Sequence, residues 1–435
     1  MKTKAAVLYG KKDIRVEEIT LPPISPDELL VKIISNSLCM STLKCATLGS
    51  EHKRVPDTIA TKPVIVGHEF ASFVIEVGDN LKDRYKVNDK ILLQPALGLS
   101  NGYSPGYSFQ FFGGDAEYCI IPKIAIDNGC AMDYQGEFFA NASLAEPTSC
   151  VLGAMHASYH TKEFVYKHDM GIKAGGKIAL LASTGAMGLM AIDLCINGEM
   201  KSQYGDSVPK PSLLVVTDIN QERLDRAATL LSPEMAKKKG IELHYLNTSS
   251  ADAVEKLMAL SGGTGYDDVF TFVPFAPVLE QADQILGYDG CHNSFAGPVD
   301  KNCSALLNYY HVHYSSHHVV GTSGGSPEDM QQCVDLSVNG DVNPCFMVTH
   351  ICGLEAVPEG ILTDLASGKN GKMLCYTHTD LPMVALSDFT KLGQSDDKYK
   401  DLYQKLGSIC DKNNHIWNLE AEKALLEYFN ITTSV

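Results

Sequence analysis

Lys177-Ile178-Ala179-Leu180-Leu181-Ala182-Ser183-Thr184-Gly185-Ala186-Met187-Gly188 reads as a buried strand that turns into a helix through a glycine-bearing loop. The loop fills a G-x-G-x-x-G frame in which Ser183 replaces the first glycine. In such a turn Gly185 lets the backbone approach a pyrophosphate at a helix N-terminus, and Gly188 lets the helix pack on the strand. Ser183, Gly185, Ala186, Met187 and Gly188 are therefore candidate cofactor-binding residues. The next apolar run, Leu213-Leu214-Val215-Val216-Thr217, ends in Asp218. An acid at the end of that strand binds the ribose 2′-hydroxyl of NAD and repels the extra phosphate of NADP. An insertion near Gly198 to Pro211 stretches the interval beyond the usual ~20 residues, so strand context selects Asp218. The competing reading of Asp218 is a helix cap before Ile219-Asn220-Gln221-Glu222-Arg223; Arg223 is counted with the cofactor residues. A further run, Asp268-Val269-Phe270-Thr271-Phe272-Val273, follows Gly262-Gly263. From Ala154 to about Gly325 strands alternate with helical stretches, which implies a doubly wound parallel sheet.

Upstream, from Lys4 to about Cys150, the rhythm is different. Short apolar or alternating runs such as Leu29-Leu30-Val31-Lys32-Ile33 and Phe73-Val74-Ile75-Glu76-Val77 are separated by Gly, Pro, Asn and Asp. That spacing suggests a small β-rich domain with long loops able to carry catalytic residues. Downstream, Gly321 to Gly325 and a polar helical run from Ser326 read as a return to this first domain. Beyond Thr379 a tail with the only tryptophan, Trp417, reads as helical. The expected boundaries are 1–150, 151–323, 324–380 for the return and 381–435 for the tail, whose Trp417, Leu419, Leu425, Leu426 and Tyr428 need cover.

With 435 residues, 45% hydrophobic and 20% charged, the chain has the composition of a folded two-domain protein. A net charge of -16 argues against nucleic acid and anionic membrane as partners. The longest apolar stretch, Ile178 to Ile196, is too polar for a transmembrane helix. Thirteen scattered cysteines and no signal peptide point to reduced thiols and a cytoplasmic location. There is no internal repeat and no low-complexity segment.

Cys39, the triplet Gly67-His68-Glu69 and the pair Glu146-Pro147 supply a thiol, an imidazole and carboxylates from separate segments. Those are the donor types of a catalytic zinc, which keeps one position open for substrate oxygen. On Cys39-Met40-Ser41, Gly67-His68-Glu69 and Glu146-Pro147, in this order, residues 4 to 378 resemble the medium-chain zinc dehydrogenase/reductase superfamily. The resemblance implies a GroES-like catalytic domain and a Rossmann coenzyme domain. It makes Cys39 and His68 zinc ligands, Glu146 a ligand directly or through water, and Glu69 an exchanging ligand or a supporting group. Ser41 would relay a proton between the substrate oxygen and the cofactor ribose. Thr42 stands where the family usually has Asp, so the bond that orients the histidine weakens or comes from elsewhere. Gln94 to Phe112 contains no cysteine, so one catalytic zinc and no structural zinc is expected.

Other stretches, including Gln94-Pro95-Ala96, Pro105-Gly106-Tyr107, Gly113-Gly114-Asp115-Ala116 and His168-Asp169-Met170-Gly171, resemble the L-sorbose-1-phosphate reductases. That likeness implies reduction of a ketose 1-phosphate to a hexitol phosphate, D-glucitol 6-phosphate, with NAD(H) or alternatively NADP(H). The phosphate would need cations, and Lys44, Lys53 and Arg54 lie between the two zinc loops. His311, His313, His317 and His318 read as structural. The small-molecule partner is a sugar phosphate or polyol, and a homo-oligomer, dimer or tetramer, is expected. The rival functions are another polyol or alcohol dehydrogenase of the sorbitol or threonine type, a zinc-free enone reductase, and a nucleotide-binding protein without turnover.

Overall fold

The computed structural model describes residues 1–199, 210–368 and 371–434. Most of the insertion read at Gly198 to Pro211 lies outside them. Two units partition the chain: residues 1–146 with 348–435, and residues 147–347.

The second unit is built on six parallel strands, Lys177–Leu181, Leu213–Asp218, Glu242–Asn247, Tyr266–Thr271, Leu286–Asn293 and His318–Val320. Numbered by their order in the chain, they lie 3-2-1-4-5-6 across the sheet, the order of a Rossmann fold. The first, second and fourth strands are buried along nearly their whole length. A sheet covered on both faces demands such continuous apolar runs. Helix Ala186–Ile196 is buried from Gly188 onward, which explains why its sequence shows no polar face. The stretch 324–347, read above with the return to the first domain, falls in this unit. There helix Pro327–Val338 opens on a Ser326/Asp329 capping box, and Asn343 N donates to Asp193 Oδ2 at 2.7 Å.

The first unit is β-rich. One sheet runs Val384–Ala385, Val348–Gly353, Lys372–Tyr376, Leu29–Ser37, Phe70–Val77, Lys90–Leu93, Ala131–Asp133, with Tyr118–Ile121 also paired to Leu29–Ser37. A three-stranded sheet combines Asp13–Thr20, Lys2–Gly10 and Val64–Ile65. Val31, Ile33, Ile65, Phe70, Val74, Ile91 and Phe112 form one core. Leu38, Cys45, Val55, Val66, Tyr107 and Met373 form a second.

The tail folds as helices Phe389–Ser395, Lys400–Cys410 and Leu419–Tyr428 on this same unit. Trp417 is fully buried, and its Nε1 donates to Tyr376 Oη at 2.6 Å. Glu422 is buried too. Its carboxylate accepts from Tyr376 Oη at 2.8 Å and from the backbone N–H groups of Phe139 and Ala140 at 2.8 and 2.9 Å. It thereby satisfies N–H groups that helix Phe139–Ala157 leaves unpaired at its start. Among the described residues no helix is long and apolar enough to cross a membrane.

Candidate active site

The sheet of the first unit delivers the sulfur, nitrogen and oxygen donors from two adjacent strands. Strand Leu29–Ser37 runs out into Leu38 and Cys39, and Cys39 is the N-cap of helix Met40–Leu48. Its Sγ accepts from Ser41 N at 3.5 Å. His68 and Glu69 immediately precede the neighbouring strand Phe70–Val77. Gly67 has φ +90, and a Cβ there would come within 2.6 Å of Asp115 N and 2.8 Å of Asn36 Nδ2. Only glycine fits that conformation and that space. Asn36 fixes the loop from below: its Oδ1 accepts from Glu69 N at 3.1 Å, and its Nδ2 donates to Asp115 Oδ1 at 2.8 Å.

The ligating atoms of Cys39, His68 and Glu69 all lie within 4.8 Å of one another, the one such group among the described residues. Tetrahedral zinc with bonds of about 2.0–2.3 Å suits this S, N, O donor set after a contraction of about 1 Å. His68 and Glu69 are 4% and 1% exposed. Burial, with help from the Glu69 carboxylate, pushes the Cys39 thiol up to about 12, and burial pushes the His68 imidazole down to about 4. Both are therefore neutral in the metal-free protein at neutral pH. A bound cation would shed the thiol proton.

Glu69 is held differently. Lys372 Nζ lies 2.6 Å from Oε1 and 2.5 Å from Oε2, and Ser37 Oγ donates to Oε2. Burial alone would raise the carboxyl, yet Lys372, His68 and these hydrogen bonds together keep it below the usual range. With both oxygens engaged by an ammonium, Glu69 has most of its acceptor capacity already in use.

Glu146, 8% exposed on helix Phe139–Ala157, stands outside the group of three, but its charge still raises the Cys39 thiol. Ser41 lies half-buried in the first turn of the helix that Cys39 caps. Arg54 Cζ lies 5.6 Å from the centre of the Tyr107 ring, and its charge adds to the lowering of His68. Lys44 is half-buried on helix Met40–Leu48, and Lys53 is exposed in the turn beyond it. Burial lowers His52, and the charges of Arg54, Lys53 and Lys44 lower it further.

In the second unit Gly185 caps helix Ala186–Ile196, and Gly185, Ala186 and Met187 are open or partly open to solvent. A Cβ on Gly188 would sit 1.8 Å from Ser183 O. The helix rests directly on the turn there. Ser183 Oγ donates to Leu180 O at 2.8 Å, closing that turn. Asp218 accepts from Thr184 Oγ1 and from Asn220 N at 3.0 Å. Asn220, not Asp218, caps helix Gln221–Leu230 by accepting from Arg223 N at 3.1 Å. His311 and His313 lie on helix Tyr309–Tyr314 and His318 opens the edge strand.

Sequence reasoning missed Lys372, Ser37 and Thr184. The one local signal for Lys372 is a charge heading an otherwise apolar strand, Lys372-Met373-Leu374-Cys375-Tyr376. Its partner lies 303 positions away, so no spacing could reveal the pair.

Family models match in both units: an alcohol dehydrogenase GroES-like domain over residues 25–129 and a zinc-binding dehydrogenase over residues 213–339. The chain is 53% identical to mannitol-1-phosphate 5-dehydrogenase of Aliivibrio fischeri, over 100% of this chain and 99% of the relative. It is 40% identical to L-sorbose 1-phosphate reductase of Klebsiella pneumoniae, over 98% of each. The crystal structure of 2R,3R-butanediol dehydrogenase from Bacillus subtilis superposes with a TM-score of 0.66 at 22% identity, over 86% of this chain and 99% of that one. That likeness shows the fold.

Proposed function

Because the chain belongs to the medium-chain zinc dehydrogenase/reductase superfamily, we propose that it reduces a ketose 1-phosphate, L-sorbose 1-phosphate, to D-glucitol 6-phosphate with NAD(P)H. The observation that carries the reading is the Cys39, His68 and Glu69 group with Arg54 beside it in one unit. One zinc per chain would be held by Cys39 and His68, with Glu146 or Glu69 completing the set. When bound, zinc supplies Lewis acidity toward a carbonyl oxygen and the nicotinamide supplies hydride. The chain's own residues do the rest. Ser41 carries the proton that the new hydroxyl needs. Lys44, Lys53 and Arg54 bind the phosphate through charge-assisted hydrogen bonds. Ser183, Gly185, Ala186, Met187 and Gly188 seat the pyrophosphate, Asp218 takes the ribose hydroxyls and favours NAD(H), and Arg223 is a further cofactor contact.

A second reading is favoured by the 53% identical mannitol-1-phosphate 5-dehydrogenase. In it the reacting carbon lies at the far end of the sugar from the phosphate, instead of next to the phosphate-bearing carbon. Both readings predict a sugar phosphate reduced in the cytoplasm by a homo-oligomer. The thirteen free cysteines support a reducing compartment, and exposed Tyr288, Tyr309, Tyr310 and Tyr314 are surface that association would cover.

The test is a panel of ketoses, ketose 1-phosphates and ketose 6-phosphates assayed with NADH and NADPH, repeated on Arg54→Ala. The proposal expects a ketose 1-phosphate to be preferred, and the variant to lose about tenfold to a hundredfold on it while sparing unphosphorylated sugars. Preference for a ketose 6-phosphate selects the second reading. A wild type that prefers unphosphorylated ketoses refutes both.

A further inference from the structure

A metal-binding imidazole uses the lone pair of one nitrogen, and the proton on the other needs an acceptor that fixes the ring. In this protein the group beside His68 is Tyr107. Its Oη lies 2.7 Å from Nδ1 and 3.0 Å from Nε2. The two rings are 4.8 Å apart at an interplanar angle of 42°.

The contact is built into the backbone. Gly106, with φ +74, lies so close to Gly67 that a Cβ on it would sit 2.3 Å from Gly67 O. The residues that follow these two glycines are Tyr107 and His68, so this packing sets one beside the other. The Tyr107 ring is fully buried in the core formed by Leu38, Cys45, Val55 and Val66, which leaves its hydroxyl little freedom to turn away.

We propose that Tyr107 is the positioning residue of His68, accepting a hydrogen bond from Nδ1–H and so leaving Nε2 for the cation. A neutral imidazole carries one N–H, so one hydroxyl oxygen can serve as acceptor to only one of the two nitrogens. Nδ1 is the nearer to Tyr107, at 2.7 Å against 3.0 Å, and Nε2 lies 3.8 Å from Glu69 Oε1. This gives the orienting bond a source in a chain that carries Thr at position 42. The inference rests on the zinc reading proposed above.

Two measurements on the full-length protein test it. In the zinc-loaded wild type with ¹⁵N-labelled histidine, His68 is expected to show a proton-bearing Nδ1 and a metal-shifted Nε2; the reverse pattern overturns the assignment. Zinc affinity of wild type and Tyr107→Phe is then measured by competition with a chromophoric chelator. Phe keeps the buried ring and removes only the hydroxyl. The variant is expected to bind zinc about tenfold to a hundredfold more weakly, and equal affinity overturns the positioning role. A wild type that takes up no zinc would instead refute the metal centre itself, so the two failures are distinct.

Discussion

Lys372→Met keeps the length of a buried side chain and deletes the ammonium that touches both oxygens of Glu69. The carboxylate, 1% exposed, is then left with the Ser37 hydroxyl as its side-chain donor. Removing one partner of a buried pair costs about 3–5 kcal/mol, because an uncompensated charge stays behind. At a urea dependence of about 2 kcal/mol per M, the unfolding midpoint falls by about 2 M. Metal-stripped protein is the right material, since a cation at Cys39 and His68 would offset the missing charge. The double variant Lys372→Met/Glu69→Gln is expected to recover most of the loss, as an amide still accepts from Ser37 and carries no charge. The loss in the single variant grows with pH, because at low pH the stranded carboxyl escapes by taking up a proton. A single variant as stable as wild type, or a double variant no better than the single, refutes the view that the ion pair organises the floor of the site.

On the NAD(H) reading proposed above, Asp218→Ala is expected to shift the ratio of kcat/KM values toward NADPH by about tenfold, through loss of a charge that repels phosphate; an unchanged ratio removes Asp218 from cofactor choice. Glu422 offers a pH test. Burial holds its carboxyl at about 7 against an ordinary 4.5, so the folded state binds a proton that the unfolded chain has released. The stability it contributes is full below about pH 4.5 and is lost as pH rises through about 7, a change of about 3 kcal/mol. Glu422→Gln should flatten that slope in urea titrations between pH 4.5 and 7.5, and an identical slope in both proteins would disprove the assignment.

Much of the Rossmann unit was legible because its signals are local. A strand buried on both faces must be apolar throughout, and a helix resting on the turn before it needs glycine at 188. The candidate site was legible only as residue types: Cys39, His68 and Glu69 are written in the chain, whereas their convergence depends on which strands become neighbours. Lys372 was invisible because a lysine at a strand start looks like a solvated charge until its partner is known. In the sequence Tyr107 shows only a likeness to a family, since nothing in Pro105-Gly106-Tyr107 tells that Gly106 will lie against Gly67. Asp218 was selected by its position at a strand end, and the capping role that competed for it falls to Asn220.

The split composition of the first unit, residues 1–146 and 348–435, sets an order in time. During synthesis the second unit is contiguous and can fold as soon as residue 347 clears the ribosome, since domains fold as units from the N-terminal side. The first cannot. Strands Val348–Gly353 and Lys372–Tyr376 and the partner of Glu69 arrive only with the last fifth of the message. Glu422, which secures the start of the helix bearing Glu146, comes later still. A nascent chain therefore displays a finished Rossmann unit while Glu69 is still without its lysine. A ribosome that stops short of residue 372 releases a protein whose buried Glu69 has no lysine to pair with.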